Sequence, residues 1–446
     1  MVEEVFGSPY IPNTKNDQTE MLAAIGVDSI SDLFADIPPE KRIDSINLPQ
    51  SMSELALKRE FQGLADKNAV PGDYAMFLGA GVYNHFIPSA IAPLASRGEF
   101  LTSYTPYQPE ISQGTLQATY EFQSLISLLT GMDNCNSGMY DGATALAEGV
   151  LMACRVTRRS RVIVADSVPP RHQLVIRTYT KSQGIAVEIQ SREEIAVNGD
   201  IACVVIASPN YFGYIDEDMG GMVNEAHANG ALLVVSTNVM SLSILKPPGD
   251  YGADIVTGEC QPLGIPLSFG GPYVGFFASK DEYVRQMPGR IVGKTMDTQG
   301  RAGYVLTLQT REQHIRRERA TSNICTSEAL IALRATIYLA LMGKSGFAEV
   351  GLHCFHKAHY LASLIQSLPD FELPFDGEFF NEFVICVPAS SKEILEDLEA
   401  NKIIGGLDIS DIVSKGILIS VTEMNTKEEI HKFVEVLSRW GGNSRG

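Results

Sequence analysis

The sequence lacks the short motifs that identify several large enzyme classes. Among its 446 residues, no Gly-x-Gly-x-x-Gly follows a predicted strand, no phosphate-binding P-loop occurs and no Gly-x-Ser-x-Gly elbow is present. These absences argue against a dinucleotide-binding domain, a P-loop nucleotide hydrolase and an α/β-hydrolase.

Basic residues and long apolar runs are scarce as well. Lys and Arg total 35 against 53 Asp and Glu, and the net charge of -18 repels phosphate backbones. We therefore expect no nucleic-acid partner.

No 18 apolar residues run together, and the acidic start Met1–Glu4 has no basic segment followed by an apolar one. Neither export nor a membrane partner is expected.

The seven cysteines are scattered, without a close pair suited to a zinc knuckle or a redox dithiol. We expect reduced thiols in a cytoplasmic protein. One predicted helix carries four possible metal ligands, His353, Cys354, His356 and His359. At 3.6 residues per turn, however, the last of these lies about 240° around the helix from the first. The sequence therefore predicts no metal site.

Length and pattern together predict three regions. A chain of this size with 45% apolar residues buries a large core and divides into a main and a smaller domain. Residues 1–65 are predicted to form an arm of short helices at 14–25, 31–34 and 53–64, residues 66–330 a large α/β domain, and residues 331–446 a small α/β domain.

Within the large domain, apolar runs rich in β-branched residues alternate with segments of helical character. The predicted strands are 161–166, 185–190, 201–208, 231–237, 253–258 and 273–279, and the predicted helices include 171–182 and 219–228. Such alternation favours a mostly parallel sheet covered on both faces. After a helix through about residue 341, the small domain is predicted to contain helices at 352–368, 392–401 and 427–440 and strands at 380–388 and 416–423.

A Ser- and Gly-containing turn precedes a helix of small residues after position 142. Its polar members are Ser137, Asp141, Gly142 and Thr144. A helix N-terminus of this kind points backbone N–H groups outward, which suits a cofactor phosphate. An ordinary helix cap by Asp141 explains the same residues equally well.

A second motif is the loop Tyr104–Glu110, which contains two prolines and is followed by a helix. The prolines stiffen it, while its tyrosines, Gln108 and Glu110 offer donors and acceptors. Such loops often line sites, although a rigid connector packed on a sheet edge would have the same composition.

A third motif combines charge and small polar residues. Four arginines between Arg311 and Arg319 alternate with glutamates, as on a solvated helix with paired charges. The Thr321-Ser322-Asn323 segment that follows is harder to explain as surface. A separate basic cluster, Arg155, Arg158, Arg159 and Arg161, suits the C-terminus of a helix.

Several long motifs together resemble one known family. They are Phe77–Gly81, His85–Pro88, Glu99–Glu110, Met139–Ala145 and Thr321–Thr326. The combination resembles the pyridoxal-phosphate glycine decarboxylases, the P-proteins of the glycine cleavage system, and within them the α subunit, or subunit 1. The resemblance covers essentially the whole chain.

The resemblance implies a fold, a cofactor and partners. The fold is the pyridoxal-phosphate-dependent transferase type I (aminotransferase-like) fold, with a mostly parallel sheet and a smaller C-terminal α/β domain. The assembly is α2β2, in which a homologous β subunit carries the catalytic lysine and binds most of the pyridoxal 5'-phosphate. With that partner, the chain decarboxylates glycine and passes the aminomethyl group to the lipoyl arm of H-protein. Because some members fuse both halves, a chain ending at Gly446 would need a separate partner.

Gln261 stands where a type I enzyme carries its Schiff-base lysine, so the resemblance implies an α chain that is inactive alone. Two further departures are Asn84, where an acidic residue is common, and Asn238, where an aspartate would hold the pyridine nitrogen protonated. Gln261 and Asn238 together argue against an independent cofactor site in this chain. The Ser137–Thr144 turn would then be a vestige of phosphate binding.

From the matched motifs we expect a pocket wall at the subunit interface, formed by His85, Tyr104, Thr105, Tyr107, Gln108, Glu110, Thr321, Ser322 and Asn323. Arg155, Arg158 and Arg159 are a weaker candidate for docking H-protein. Two other functions stay open. A stand-alone pyridoxal-phosphate enzyme would need a lysine at position 261, and a structural or regulatory pseudoenzyme would stabilise its partner without touching substrate.

Overall fold

The computed structural model describes residues 12–43 and 46–442. The Met1–Glu4 segment and the end of the chain at Gly446, on which two of the predictions rest, lie outside the described residues. The chain forms two compact units, Met1–Asn68 and Ala69–Gly446.

The first unit contains short helices whose ends are set by side-chain caps. They are α1 (Lys15–Ile25), α2 (Glu54–Ala65) and the 3-10 turns Ile30–Phe34 and Pro39–Lys41. Thr14 caps α1 by accepting the N–H of Asp17, and Ser53 caps α2 by accepting that of Ala56. None of these helices has a buried residue. The helices predicted near 14–25, 31–34 and 53–64 are confirmed.

The second unit is built on a seven-stranded sheet. In chain order, its strands and those outside the sheet are β1 (Ala75–Met76), β2 (Asn134–Cys135), β3 (Arg161–Ala165), β4 (Ala186–Gln190), β5 (Ile201–Ala207), β6 (Leu232–Asn238), β7 (Ile255–Glu259), β8 (Gly275–Ser279), β9 (Ile291–Met296), β10 (Ala302–Thr307), β11 (Glu382–Cys386), β12 (Ile403–Ile404), β13 (Leu407–Asp408) and β14 (Gly416–Ser420). The order across the large sheet is β2-β8-β7-β6-β5-β3-β4.

The five neighbouring strands β7, β6, β5, β3 and β4 are parallel to one another. At the other edge, β8 pairs antiparallel with β7, and β2 pairs antiparallel with β8. Every residue of β5 is buried, as expected for a strand covered on both faces. The remaining helices are α3 (Ile91–Ala95), α4 (Gly98–Leu101), α5 (Gln113–Thr130), α6 (Gly142–Thr157), α7 (Pro170–Lys181), α8 (Met219–Ala228), α9 (Gln313–Arg316), α10 (Ala329–Gln366), α11 (Ser391–Ala400) and α12 (Lys427–Ser438). The predicted parallel α/β sheet is confirmed.

Helix α10 belongs to both hydrophobic cores of the second unit. It is interrupted at Gly343, whose φ of 59° and ψ of -177° are not helical. Ala335 and Tyr338 are buried in the core of the large sheet, and Leu361 and Ile365 in the core of the C-terminal sheet. By length and composition alone α10 could cross a membrane, but its packing is that of a core helix.

The C-terminal part carries a three-stranded antiparallel sheet in the order β11-β14-β13, with α11 and α12 on it. The strands predicted at 380–388 and 416–423 are confirmed with shorter bounds. The predicted helices are confirmed too, except that 344–351 is also helical and joins the two helices predicted on either side.

Candidate functional site

A cavity of about 300 Å³ opens at the carboxyl ends of β5, β6 and β7. This is the edge at which open α/β sheets bind their ligands. Its lining includes Tyr83, His172, Asn238, Glu259, Tyr273 and Glu382. Two of the predicted groups, the Asp141–Gly142 turn and Asn238, are part of this wall.

The Asp141–Gly142 turn begins α6 with a side-chain cap. The carboxylate of Asp141 accepts the N–H of Thr144 at 2.7 Å, and the Thr144 hydroxyl accepts the N–H of Asp141. A Cβ on Gly142 would lie 3.1 Å from the backbone of Gly258 and Glu259. Glycine at this position therefore allows the end of β7 to lie against the helix N-terminus. The helix cap proposed from the sequence is confirmed.

Glu259 fills the space in front of that helix N-terminus. One oxygen accepts the N–H of Gly142 at 3.0 Å, and the other accepts the N–H groups of Gln261 and Val274, both at 3.2 Å. Burial raises the pKa of Glu259 to about 8, and the nearby carboxylate of Asp141 contributes, although the three N–H groups act in the opposite direction.

Gln261 is 1% exposed and all of its side-chain polar atoms are bonded. Its amide nitrogen donates to the carbonyl oxygens of Tyr83 at 2.9 Å and Ile265 at 3.0 Å, and its oxygen accepts the N–H of Tyr83 at 2.9 Å. The residue in the lysine position therefore holds the segment around Tyr83 against the end of the sheet.

Tyr83 and Glu382 form a buried pair at the floor of the cavity. The Tyr83 hydroxyl donates to Glu382 at 2.7 Å, and the N–H of Ala80 donates to its other oxygen at 2.6 Å. Burial raises the pKa of Glu382 to about 7 and, with the charge of Glu382, raises that of Tyr83. Asn238 donates to Asn381 at 3.3 Å and accepts the N–H of Met240.

The raised pKa of Glu382 predicts a pH-dependent stability. Between its ordinary pKa of about 4.3 and about 7, the folded state keeps a proton that the unfolded state has lost. Stability therefore falls as pH rises through this window. We expect Glu382→Gln to reduce that slope by up to about 1.4 kcal/mol per pH unit in urea unfolding between about pH 5 and 7. An unchanged slope would contradict the assignment.

The Tyr104–Glu110 loop does not line the cavity of its own chain. Tyr104 is 78% and Tyr107 60% exposed, and Gln108 and Glu110 are exposed as well. The Tyr107 ring lies 5.5 Å from the guanidinium of Arg290. The loop is anchored behind its tip, where Gln113 donates to the carbonyl oxygens of Pro109 and Tyr304. Its tyrosines are therefore exposed, and no residue of the loop is part of the cavity wall.

The Thr321–Asn323 segment lies beside the beginning of α6. The Ser322 hydroxyl donates to Glu148 of that helix at 2.7 Å. Just beyond the segment, the N–H of Cys325 donates to the Tyr140 hydroxyl, and the Ser327 hydroxyl donates to the carbonyl oxygen of Ser137. The structure thus brings the Thr321–Asn323 motif and the Ser137–Thr144 turn together.

His85 is buried behind the cavity instead of lining it. Its Nδ1 lies 2.7 Å from Glu423, whose second oxygen accepts the N–H of Phe86 at 2.6 Å. Burial would raise the pKa of Glu423, yet the hydrogen bond and charge of His85 hold it below its ordinary value. Cys354, considered above with three histidines, lies 3.4 Å from the same carboxylate. His85, Cys354 and Glu423 are close enough to hold a metal ion, but their mutual hydrogen bonds also account for the cluster.

Some arginines of each basic cluster are hydrogen-bonded to backbone groups of the chain itself. Arg159 donates to the carbonyl oxygens of Ile201 and Asn229, and Arg155 to that of Gln286. Arg311 is buried and bonds to three backbone carbonyl oxygens, whereas most of the following arginines are exposed. The segment after Arg311 is not one solvated helix, because it divides into α9 and a separate 3-10 turn, Arg317–Arg319.

The residues of this cavity do not fit pyridoxal phosphate. Gln261, which is buried next to the cavity at the lysine position implied by the resemblance, offers no amine. Asn238 offers an amide where the resemblance places the carboxylate for the pyridine nitrogen, and Glu259 fills the space before the helix N-terminus. A phosphate there would also meet the carboxylate of Asp141.

Glu259, Tyr83, Glu382 and His172 were not identified from the sequence. His172 is the third residue of α7, and burial lowers its pKa. An acidic residue at the end of a buried strand, two residues before Gln261, is the one local signal that could have drawn attention to Glu259. Glu382 carries no local signal, since its partners lie about 300 residues earlier.

Comparison with known proteins places the whole chain in one family. The family model described as "Glycine cleavage system P-protein" matches residues 8–437. A protein of Desulfitobacterium hafniense named probable glycine dehydrogenase (decarboxylating) subunit 1 is 50% identical over 440 residues, which cover 95% of this chain and 98% of that protein. A protein of the same name from Chlorobium chlorochromatii is 48% identical over 442 residues, covering 96% and 99%.

Solved structures agree. A crystal structure of glycine decarboxylase (P-protein) of the glycine cleavage system, in inhibitor-bound form, superposes with a TM-score of 0.91 and is 41% identical, covering 97% of this chain and 100% of that chain. A sphingosine-1-phosphate lyase of Burkholderia pseudomallei shares the fold at 13% identity, with a TM-score of 0.63 and coverage of 90% and 93%. The fold is that of pyridoxal-phosphate-dependent enzymes, and the chain belongs to the glycine cleavage system P-protein family.

Proposed function

We propose that this chain is the α subunit, or subunit 1, of a glycine decarboxylase and works only with a homologous, lysine-bearing β subunit. In that assembly, pyridoxal phosphate is bound mainly by the β subunit, glycine loses carbon dioxide, and the aminomethyl group passes to the lipoyl arm of H-protein. The names of the relatives, which include the word subunit, support a partner.

The observation that carries this proposal is the filled lysine position in an otherwise complete fold. Gln261 is fully bonded to backbone groups and buried, so the chain cannot supply the amine that the chemistry needs. Since the fold and the family are kept, the catalytic amine must come from a second chain.

This chain's contribution to that site is the exposed Tyr104–Glu110 loop. Its anchored base and exposed tyrosines suit a wall presented to a partner's cavity, where it would orient substrate and exclude water. An α2β2 arrangement would supply two such interfaces. A cytoplasmic location is part of the proposal, and the seven free cysteines are consistent with it.

Reconstitution tests this function directly. The chain is purified alone and with a co-expressed homologue that carries the lysine, and glycine-dependent bicarbonate exchange is measured with H-protein. Activity in the mixture alone supports the proposal. Activity of the lone chain would overturn the argument from Gln261, and an inactive but correctly assembled, cofactor-loaded pair would leave a scaffold as the better function.

Tyr107→Phe tests the loop within the active complex. If its hydroxyl contacts substrate or cofactor, losing one hydrogen bond of roughly 1 kcal/mol or more lowers turnover by about fivefold or more with assembly intact. Tyr360→Phe is a matched control, because the Tyr360 hydroxyl bonds to His431 on a distant helix. Unchanged turnover in the Tyr107 variant would remove this residue from the site.

A further inference from the structure

We propose that Glu259 is a built-in plug: its carboxyl group occupies the place of the cofactor phosphate and closes this chain's own pocket to phosphate-bearing ligands. The proposal goes beyond the function above, because it concerns the cavity of this chain and not the partner's site. The Glu259 side chain thereby keeps the cofactor phosphate out of its usual place in this fold.

The first support is the set of atoms that Glu259 touches. Backbone N–H groups at a helix N-terminus are the usual holders of a cofactor phosphate. In α6, the N–H of Gly142 is used by Glu259 and that of Thr144 by Asp141. Two side-chain carboxyl groups thus take two of the N–H groups that a phosphate would use.

The second support is the tight backbone geometry around the plug. The absence of a side chain at Gly142 lets the end of β7 approach within 3.1–3.2 Å of where a Cβ would stand. The other Glu259 oxygen is fixed by the N–H groups of Gln261 and Val274. Glu259 is therefore held by its own turn and by two other segments, and it does not extend into the cavity as a loose side chain.

The third support is the relation between Glu259 and Gln261. The two residues are neighbours on the same turn, and the Gln261 N–H donates to the Glu259 carboxyl. One has replaced the phosphate and the other the amine, so both anchors of the cofactor are substituted by side chains that hydrogen-bond within the protein. The phosphate and amine positions are therefore both filled by residues of the chain itself. The missing lysine is only one of the two substitutions.

Inorganic phosphate is the probe for this proposal. The full chain, purified without its partner, is titrated with phosphate by calorimetry and by thermal unfolding, with chloride at matched ionic strength as the salt control. Wild type is expected to show neither heat nor stabilisation. Glu259→Ala frees the N–H groups of Gly142, Gln261 and Val274 and opens the space, and we expect it to bind phosphate at least about tenfold more tightly than wild type does.

Two further variants complete the test. Glu259→Gln keeps the size of the plug, so it should not bind phosphate. Glu259→Asp keeps the carboxyl but shortens the side chain, so it should bind phosphate more weakly than the alanine variant and serves where that variant does not fold. Phosphate binding by wild type, or no gain in a folded alanine or aspartate variant, would overturn the proposal. None of these outcomes depends on glycine decarboxylation.

Discussion

Gln261→Lys, the substitution that would restore the missing lysine, is expected to destabilise the chain without restoring a cofactor site. A lysine ammonium group donates hydrogen bonds but accepts none, so the N–H of Tyr83 would lose its acceptor. The ammonium would also lie at a position that is 1% exposed. We expect a loss of about 3 kcal/mol in the free energy of unfolding.

Urea unfolding measures this loss, and gel filtration after incubation with pyridoxal phosphate measures retention of the cofactor. Gln117→Lys is the matched control, because Gln117 is exposed on α5 and pairs with Glu121, which a lysine can also do. A Gln261→Lys chain that is as stable as wild type and retains the cofactor would contradict both the hydrogen-bonding argument and the plug.

The parts of the fold that the sequence predicted are those with a local signal. The buried strands β3, β5 and β6 are runs of mostly apolar residues rich in β-branched side chains, and α8 has the predicted bounds 219–228. The sequence predicted a gap between the helices on either side of residues 342–351. In the structure only Gly343 is non-helical, and the residues after it are helical despite a glycine at 346.

The candidate site was harder to predict because its contacts join distant parts of the chain. The bond from Gly142 to Glu259 spans 117 residues, and that from His85 to Glu423 spans 338. Spacing along the chain does not encode such pairs. The polar loop Tyr104–Glu110 could be recognised, but the sequence does not tell whether its side chains face this chain's cavity or the outside.

Glu423 links the segment around His85 to the C-terminal part through hydrogen bonds and charge. Its carboxylate accepts hydrogen bonds from the His85 ring and the Phe86 N–H, and the side chains of His85 and Glu423 are 3% and 12% exposed. The carbonyl oxygen of Glu423 also accepts Lys357 of α10 at 2.5 Å. Glu423→Ala leaves His85 buried without its partner, and we expect a loss of about 3–5 kcal/mol in the free energy of unfolding.

The pH dependence separates the ion pair from simple loss of packing. Because the pKa of Glu423 is lowered in the folded state, its contribution to stability is present above the ordinary pKa of about 4.3 and is lost as pH falls through the folded value. Glu423→Gln keeps the volume of the side chain but removes its charge, so it should flatten the acid limb of the stability curve in urea unfolding. Glu399 is exposed and serves as the control: Glu399→Ala should leave the curve within about 0.5 kcal/mol of wild type. If the glutamine variant retains the wild-type acid limb, the charge of Glu423 does not stabilise the fold and the His85 contact is an ordinary hydrogen bond.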